Sequence, residues 1–107
     1  MQERLAQLIA AAEAALMAQT GGGNLCQLSK AGQPLGSAKY YEGRLVALRA
    51  ASRTLRGATG DPALLIAPLL ARWEADLATQ QDRPQPAAAW LAYAQGGVEA
   101  LRELEEA

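Results

Sequence analysis

The sequence contains no histidine, no phenylalanine and only one cysteine in 107 residues. Because histidine is absent, the chain lacks the commonest general base and the commonest metal ligand. The lone cysteine, Cys26, can build neither an intrachain disulfide nor a zinc site, and we interpret it as a small buried side chain. The sequence therefore predicts no enzyme activity, no metal site and no cofactor.

Long apolar runs are missing as well. No stretch approaches the roughly 18 apolar residues that a membrane-spanning helix needs. The N-terminal segment carries Glu3 and Glu13 among leucines at helical spacing, a pattern typical of an amphipathic helix rather than a signal peptide. We therefore expect a cytoplasmic protein without membrane contact, in a reducing compartment where its cysteine stays free.

The composition favours helices over strands. Half of the residues are apolar, most of them alanine or leucine, whereas aromatic side chains make up 5% of the chain. Alanine and leucine are strong helix formers, and aromatic and β-branched residues are the ones that favour strands. A chain of this length suits one small domain. The sequence therefore predicts a single all-α domain over 1–107.

Apolar residues recur at helical spacing in four segments, which predicts a compact four-helix domain. Ser37 and Asp61 are good N-caps for the second and third helices, and Pro68 should kink or split the third. An irregular glycine-rich loop, or less favourably a small hairpin, is expected over Asn24 to Gly36. The predicted helices run from about Gln2 to Gln19, Ser37 to Arg56, Pro62 to Gln81 and Pro86 to Glu105.

Each predicted helix has one apolar face that should point into a shared core. The predicted core residues are Leu5, Leu8, Ile9, Ala12 and Leu16 in the first helix, Tyr41, Leu45, Leu48, Ser52 and Leu55 in the second, Leu65, Ile66, Leu69, Leu70, Trp73 and Leu77 in the third, and Trp90, Ala94, Val98, Leu101 and Leu104 in the fourth.

The halves 1–53 and 54–107 partly match when the sequence is shifted by 53 positions, so that Tyr40 falls on Tyr93 and Gly43 on Gly96. Small residues let two helix backbones approach closely, so the second and fourth helices should cross at Gly43 and Gly96. A true duplication would make the domain two helical hairpins related by a pseudo-twofold axis. Chance similarity in an alanine-rich chain is the alternative.

Charge is distributed unevenly although the net charge is only −1. From Asp61 onward eight acids stand against three arginines, whereas the stretch from Lys30 to Arg56 holds six basic residues and one acid, Glu42. Such asymmetry indicates a charged partner or self-association. The predicted partner-binding residues are the six basic ones: Lys30, Lys39, Arg44, Arg49, Arg53 and Arg56.

Arg49, Arg53 and Arg56 form a stripe on the second helix, opposite its apolar face. The function that this stripe and the preceding loop predict is a small non-enzymatic protein-interaction or regulatory protein, with a homodimer as one form of the interaction. The alternative is a nucleic-acid-binding protein that uses the same face on phosphates. The overall acidity of the chain argues against strong non-specific DNA binding.

Two further charged features have a structural interpretation. Arg44 falls inside the apolar arc of the second helix, and we favour a buried stem with the guanidinium in water over a buried or interface arginine held by a carboxylate or a backbone carbonyl. Glu99, Glu103 and Glu106 form a stripe on the fourth helix, which we interpret as a solvated face. A simpler alternative for the basic stripe is that its arginines pair with these acids.

Overall fold

A computed structural model describes residues 1–20 and 36–106, which form four α-helices and no strand. The predicted all-α four-helix domain is therefore confirmed. The loop or hairpin predicted after the first helix, together with Cys26 and Lys30, lies outside the described residues apart from Gly36. The helices are α1 (Gln2–Thr20), α2 (Gly36–Leu55), α3 (Pro62–Gln81) and α4 (Ala88–Glu105).

The start of α3 follows from its sequence. The Asp61 side chain accepts a hydrogen bond from the backbone N–H of Ala63 at 3.0 Å, and Pro62 occupies the first helical position, where its missing N–H removes no helical bond. α2 begins at Gly36, one residue before the predicted cap at Ser37, which is within the one or two residues to which a helix end is defined. The cap itself stays a prediction.

α3 runs without a break through Pro68, which excludes the split that was one of its two predicted effects. An interior proline leaves the carbonyl four residues earlier without its helical partner. That carbonyl belongs to Leu64. Both Leu64 and Pro68 are exposed. Water can therefore solvate the carbonyl, and the helix continues.

The centre of the fold is the pair α2 and α4, with α1 packed against α2 and α3 against α4. A Cβ built on Gly43 would lie 2.8 Å from the Tyr93 carbonyl carbon, and one built on Gly96 would lie 2.9 Å from that of Tyr40. Because each obstacle is backbone, only glycine fits. The predicted crossing is confirmed and is reciprocal. A duplication of the sequence stays a prediction.

The core is built mainly from leucine and small residues of all four helices. Most of the predicted core residues are buried or packed against it, which confirms the helical wheels. Trp90 is the clear exception, since 48% of it is exposed. It stands in the first turn of α4, where the Nζ of Lys39 from α2 lies 4.7 Å from the centre of its ring.

None of the helices described has both the length and the apolar character required to cross a bilayer.

Candidate partner-binding surface

The structure divides the predicted basic residues on α2 into two groups. Lys39 and Arg44 lie on the side that packs against α4, where their charges meet α2 and α4 side chains. Arg49, Arg53 and Arg56 lie on the exposed side. The two groups therefore have different chemical surroundings although they belong to one helix.

Arg44 is held by a carboxylate, so the favoured interpretation of a guanidinium in water is wrong. Its Nη1 and Nη2 donate to Oε1 and Oε2 of Glu103 at 3.2 and 2.8 Å, and only 12% of its side chain is exposed. Burial alone would lower the pKa of Arg44, but the hydrogen bonds and charge of Glu103 raise it above its ordinary value. Arg44 is therefore a fixed cation that ties α2 to α4.

The acids of α4 are also drawn into this contact. The Tyr40 hydroxyl donates to Glu99 Oε1 at 2.6 Å and accepts from Arg44 Nη1 at 3.4 Å. Burial, and then the bond to Glu99, raises the pKa of Tyr40 above its ordinary 10.0. The predicted solvated face is therefore wrong for Glu99 and Glu103, because both carboxylates are bound by α2 side chains.

Lys39 is engaged within the chain too. Its Nζ lies 3.3 Å from Glu42 Oε2, without forming a directed hydrogen bond, and 4.7 Å from the centre of the Trp90 ring. A cation over an aromatic face gains a favourable electrostatic contact. Because only 17% of the side chain is exposed, Lys39 adds little to the exposed positive charge.

The arginine ridge is defined as Arg49, Arg53 and Arg56. It lines a depression of about 360 Å³ between α1 and α2, together with Ile9 and Ser52. Arg49 lies 3.9 Å from Glu13 of α1, and each of these side chains is about half exposed, so their attraction is weak. Arg53 and Arg56 are exposed and make no ion pair within 1–20 and 36–106. Among the described residues the arginine ridge forms no ion pair with the acids of α4, so the alternative based on such pairs is wrong.

A second concave surface lies on the other side of Arg53. This aromatic groove has a volume of about 420 Å³ and is lined by α2, α3 and α4. It contains both tryptophans of the chain, Trp73 and Trp90, with Tyr93 between them at ring distances of 5.4 and 5.5 Å. Arg53 lines both the groove and the depression beside the ridge, so the two surfaces are continuous.

The backbone of α4 positions Trp73. A Cβ built on Gly97 would overlap the six-membered ring of Trp73, so any other residue at 97 would push the indole away. Glycine inside a helix costs about 1 kcal/mol relative to alanine, which indicates a close-packing requirement at this point. Sequence reasoning assigned both tryptophans to the core, and the pattern contained no signal that they share a groove.

The rim of the groove is charged and polar. Arg53 of α2 and Arg72 of α3 bring two cations, while Asp76 is its only carboxylate among the residues that the structure describes. Gln80 also lines the groove, and its amide oxygen is buried without a hydrogen-bond partner among the described residues. Aromatic rings beside guanidinium groups can bind an apolar group that carries negative charge next to it.

In the part of the chain that the structure describes, no three His, Cys, Asp or Glu side chains converge as ligands for a metal ion. Comparisons of the chain with protein-family models, with curated proteins and with solved structures find no match.

Proposed function

We propose that this protein is a non-enzymatic interaction or regulatory module, acting in the cytoplasm, which binds an acidic protein partner through the arginine ridge. The observation that carries the proposal is the state of Arg53 and Arg56, which are exposed and lack a carboxylate partner in 1–20 and 36–106. Exposed guanidinium groups bind carboxylates in two-pronged geometry. An acidic surface is therefore the matching partner.

The ridge contributes little to the fold. Arg49 and Arg53 are four positions apart and Arg53 and Arg56 three apart, so like charges are neighbours on the helix surface. Such pairs destabilise a helix by roughly 0.2–0.5 kcal/mol each. A solvated face would be served better by alternating charges, whereas a negatively charged partner would relieve the repulsion.

A nucleic acid is the second candidate partner. The observation that favours it is the position of the aromatic groove beside the same arginines, since rings and cations together bind single strands. Against it stand Glu13 next to Arg49 and Asp76 in the groove, together with the net negative charge of the chain. A phosphate backbone carries a charge at every nucleotide and cannot avoid these carboxylates, whereas a protein partner can place neutral residues opposite them, so an acidic protein fits these surroundings better.

The test is a charge reversal at the two arginines without partners. Immobilised wild-type protein and the double variant Arg53→Glu and Arg56→Glu are exposed to nuclease-treated extract of the native host. Proteins retained by the wild type alone are then purified, and their affinity is measured directly over a salt series. We expect an acidic partner whose affinity falls by at least about tenfold in the variant and weakens with salt.

The matched control is Arg4→Glu and Arg83→Glu, which changes the net charge equally at two other exposed positions. Binding by this control should resemble that of the wild type. Equal loss in both variants would reduce the effect to net charge and contradict the proposal. Steeply salt-dependent binding of a labelled oligonucleotide, abolished only by the ridge reversal, would favour the nucleic-acid function instead. The molar mass of the complex, measured by light scattering, shows whether the partner is a different protein or a second copy of the chain.

A further inference from the structure

The aromatic groove adjoins the arginine ridge through Arg53, which lines both surfaces. We propose that the groove receives one large apolar side chain of the acidic segment that the ridge binds, so that the partner is an acidic peptide segment with an aromatic or aliphatic anchor. This inference rests on the proposed function. It adds the source of specificity, because charge alone selects acidic segments poorly.

The shape of the groove suits a single inserted side chain. Trp73 is fixed from behind by Gly97, where a Cβ would overlap its ring. Tyr93 packs against Trp73 on one side and edge-on against Trp90 on the other. The rings thus hold one another in place, and an anchor that packs against them meets a preformed apolar wall, which reduces the ordering needed on binding.

The charge around the groove defines what surrounds the anchor. Arg53 of α2 and Arg72 of α3 both line the groove, and Arg56 continues the positive surface along α2. Among the described residues, Asp76 is the only carboxylate in the groove. Acidic residues on both sides of the anchor would therefore meet cations in either direction along the surface.

The polar groups favour a peptide over a nucleic acid. The buried amide oxygen of Gln80, unpartnered in 1–20 and 36–106, is an acceptor that a peptide N–H could satisfy. Base stacking uses open ring faces, whereas Trp73 is covered by Gly97 and the rings of Trp90 and Tyr93 stand at 78° to each other. A phosphate chain carries a charge at every nucleotide and would bring one close to Asp76, whereas a peptide can place its neutral anchor there.

The experiment uses two synthetic peptides of equal charge, acetyl-Asp-Glu-Asp-Phe-Glu-Asp-Glu-amide and the same peptide with alanine in place of phenylalanine. Both tryptophans of the chain line the groove, and the peptides contain none. Tryptophan emission therefore reports occupation of this site alone. We expect the phenylalanine peptide to bind at least about tenfold more tightly at low salt, with a change in emission.

Two variants with exposed apolar side chains separate the anchor from the charge. Trp90→Ala removes one wall of the groove, while Leu64→Ala truncates an exposed residue outside it. The preference for phenylalanine should disappear in Trp90→Ala and persist in Leu64→Ala. Circular dichroism of both variants checks that the helices are retained.

The outcomes distinguish the two proposals. If both peptides bind equally, and reversal of Arg53 and Arg56 abolishes the binding, the ridge function stands and the groove inference is overturned. A preference for phenylalanine that survives Trp90→Ala overturns it as well. If neither peptide binds at low salt, both proposals fail. If a single-stranded oligonucleotide changes the emission at lower concentration than the peptide does, the groove belongs to a nucleic-acid site.

Discussion

Two faces of α2 differ in what their charges do. On the face towards α4, Arg44 is held by both carboxylate oxygens of Glu103 and is nearly buried. On the opposite face, Arg53 and Arg56 are exposed, with no carboxylate partner in the described chain. The same residue type is thus a structural tie on one side and an unmatched surface charge on the other.

The two faces of α2 therefore differ in whether their positive charges are available to a partner. A nearly buried arginine that loses its carboxylate leaves an uncompensated charge, so the loss of Glu103 should destabilise the fold. An exposed arginine is solvated by water and can exchange that water for a ligand. Charge counted along the sequence therefore overstates the binding surface of this helix.

The largest expected effect comes from the α2–α4 crossing. Gly43→Leu places side-chain atoms where the Tyr93 carbonyl stands, so the helices must separate, and we expect the free energy of unfolding to fall by more than about 3 kcal/mol. Even Gly43→Ala should destabilise, although glycine to alanine in an open helix stabilises by about 1 kcal/mol. Denaturant unfolding measures both variants.

The control for the crossing is Ala71→Leu, at an exposed position of α3, which should change the stability by less than about 0.5 kcal/mol. A Gly43→Ala protein more stable than the wild type would mean that α2 and α4 do not approach as closely as the structure has them.

A medium effect is expected at the bound carboxylate. Glu103→Ala leaves the guanidinium of Arg44 without its main partner, and we expect a loss of about 2 kcal/mol in the free energy of unfolding. Glu74→Ala is the matched control, because Glu74 accepts from Arg102 at 2.8 Å with both side chains about half exposed. Its removal should cost less than about 0.5 kcal/mol. Similar losses in the two variants would contradict the distinction between a nearly buried and an exposed arginine.

The smallest effect should come from the arginine ridge. Arg53→Ala and Arg56→Ala each remove an exposed charge without an ion pair in 1–20 and 36–106, and each relieves repulsion between like charges. We expect the free energy of unfolding to stay within about 0.5 kcal/mol of the wild type. A loss of 1 to 2 kcal/mol, on the order of a broken buried contact, would show that the ridge serves the fold.

Much of the fold could be predicted because local chemistry specifies it. Helical periodicity predicted the leucine faces of all four helices, Asp61-Pro62 predicted the start of α3, and the shared small-residue pattern predicted the crossing of α2 and α4 at Gly43 and Gly96. The start of α2 was predicted to within one residue, since the helix begins at Gly36 and the predicted cap is Ser37. A helix end is defined only to one or two residues, so a capping rule does not fix the first residue more closely.

The candidate surface was only partly predictable. The wheel separated Arg49, Arg53 and Arg56 from the core, and this separation holds in the structure. It placed Trp90 inward, and it left Glu99 and Glu103 in solvent. A wheel describes one helix at a time, so it contains no information about which side chains of two different helices meet.

Spacing along single segments was enough to predict four amphipathic helices, a crossing of α2 and α4 at small residues, and an uneven distribution of charge. Only the tertiary structure decided which charges remain exposed and that Trp73, Tyr93 and Trp90 share one groove with Arg53. These neighbours depend on how the helices pack: α2 and α4 meet backbone to backbone at Gly43 and Gly96, and the Trp73 ring of α3 packs on Gly97 of α4. That packing, rather than any local pattern, determines which side chains become neighbours.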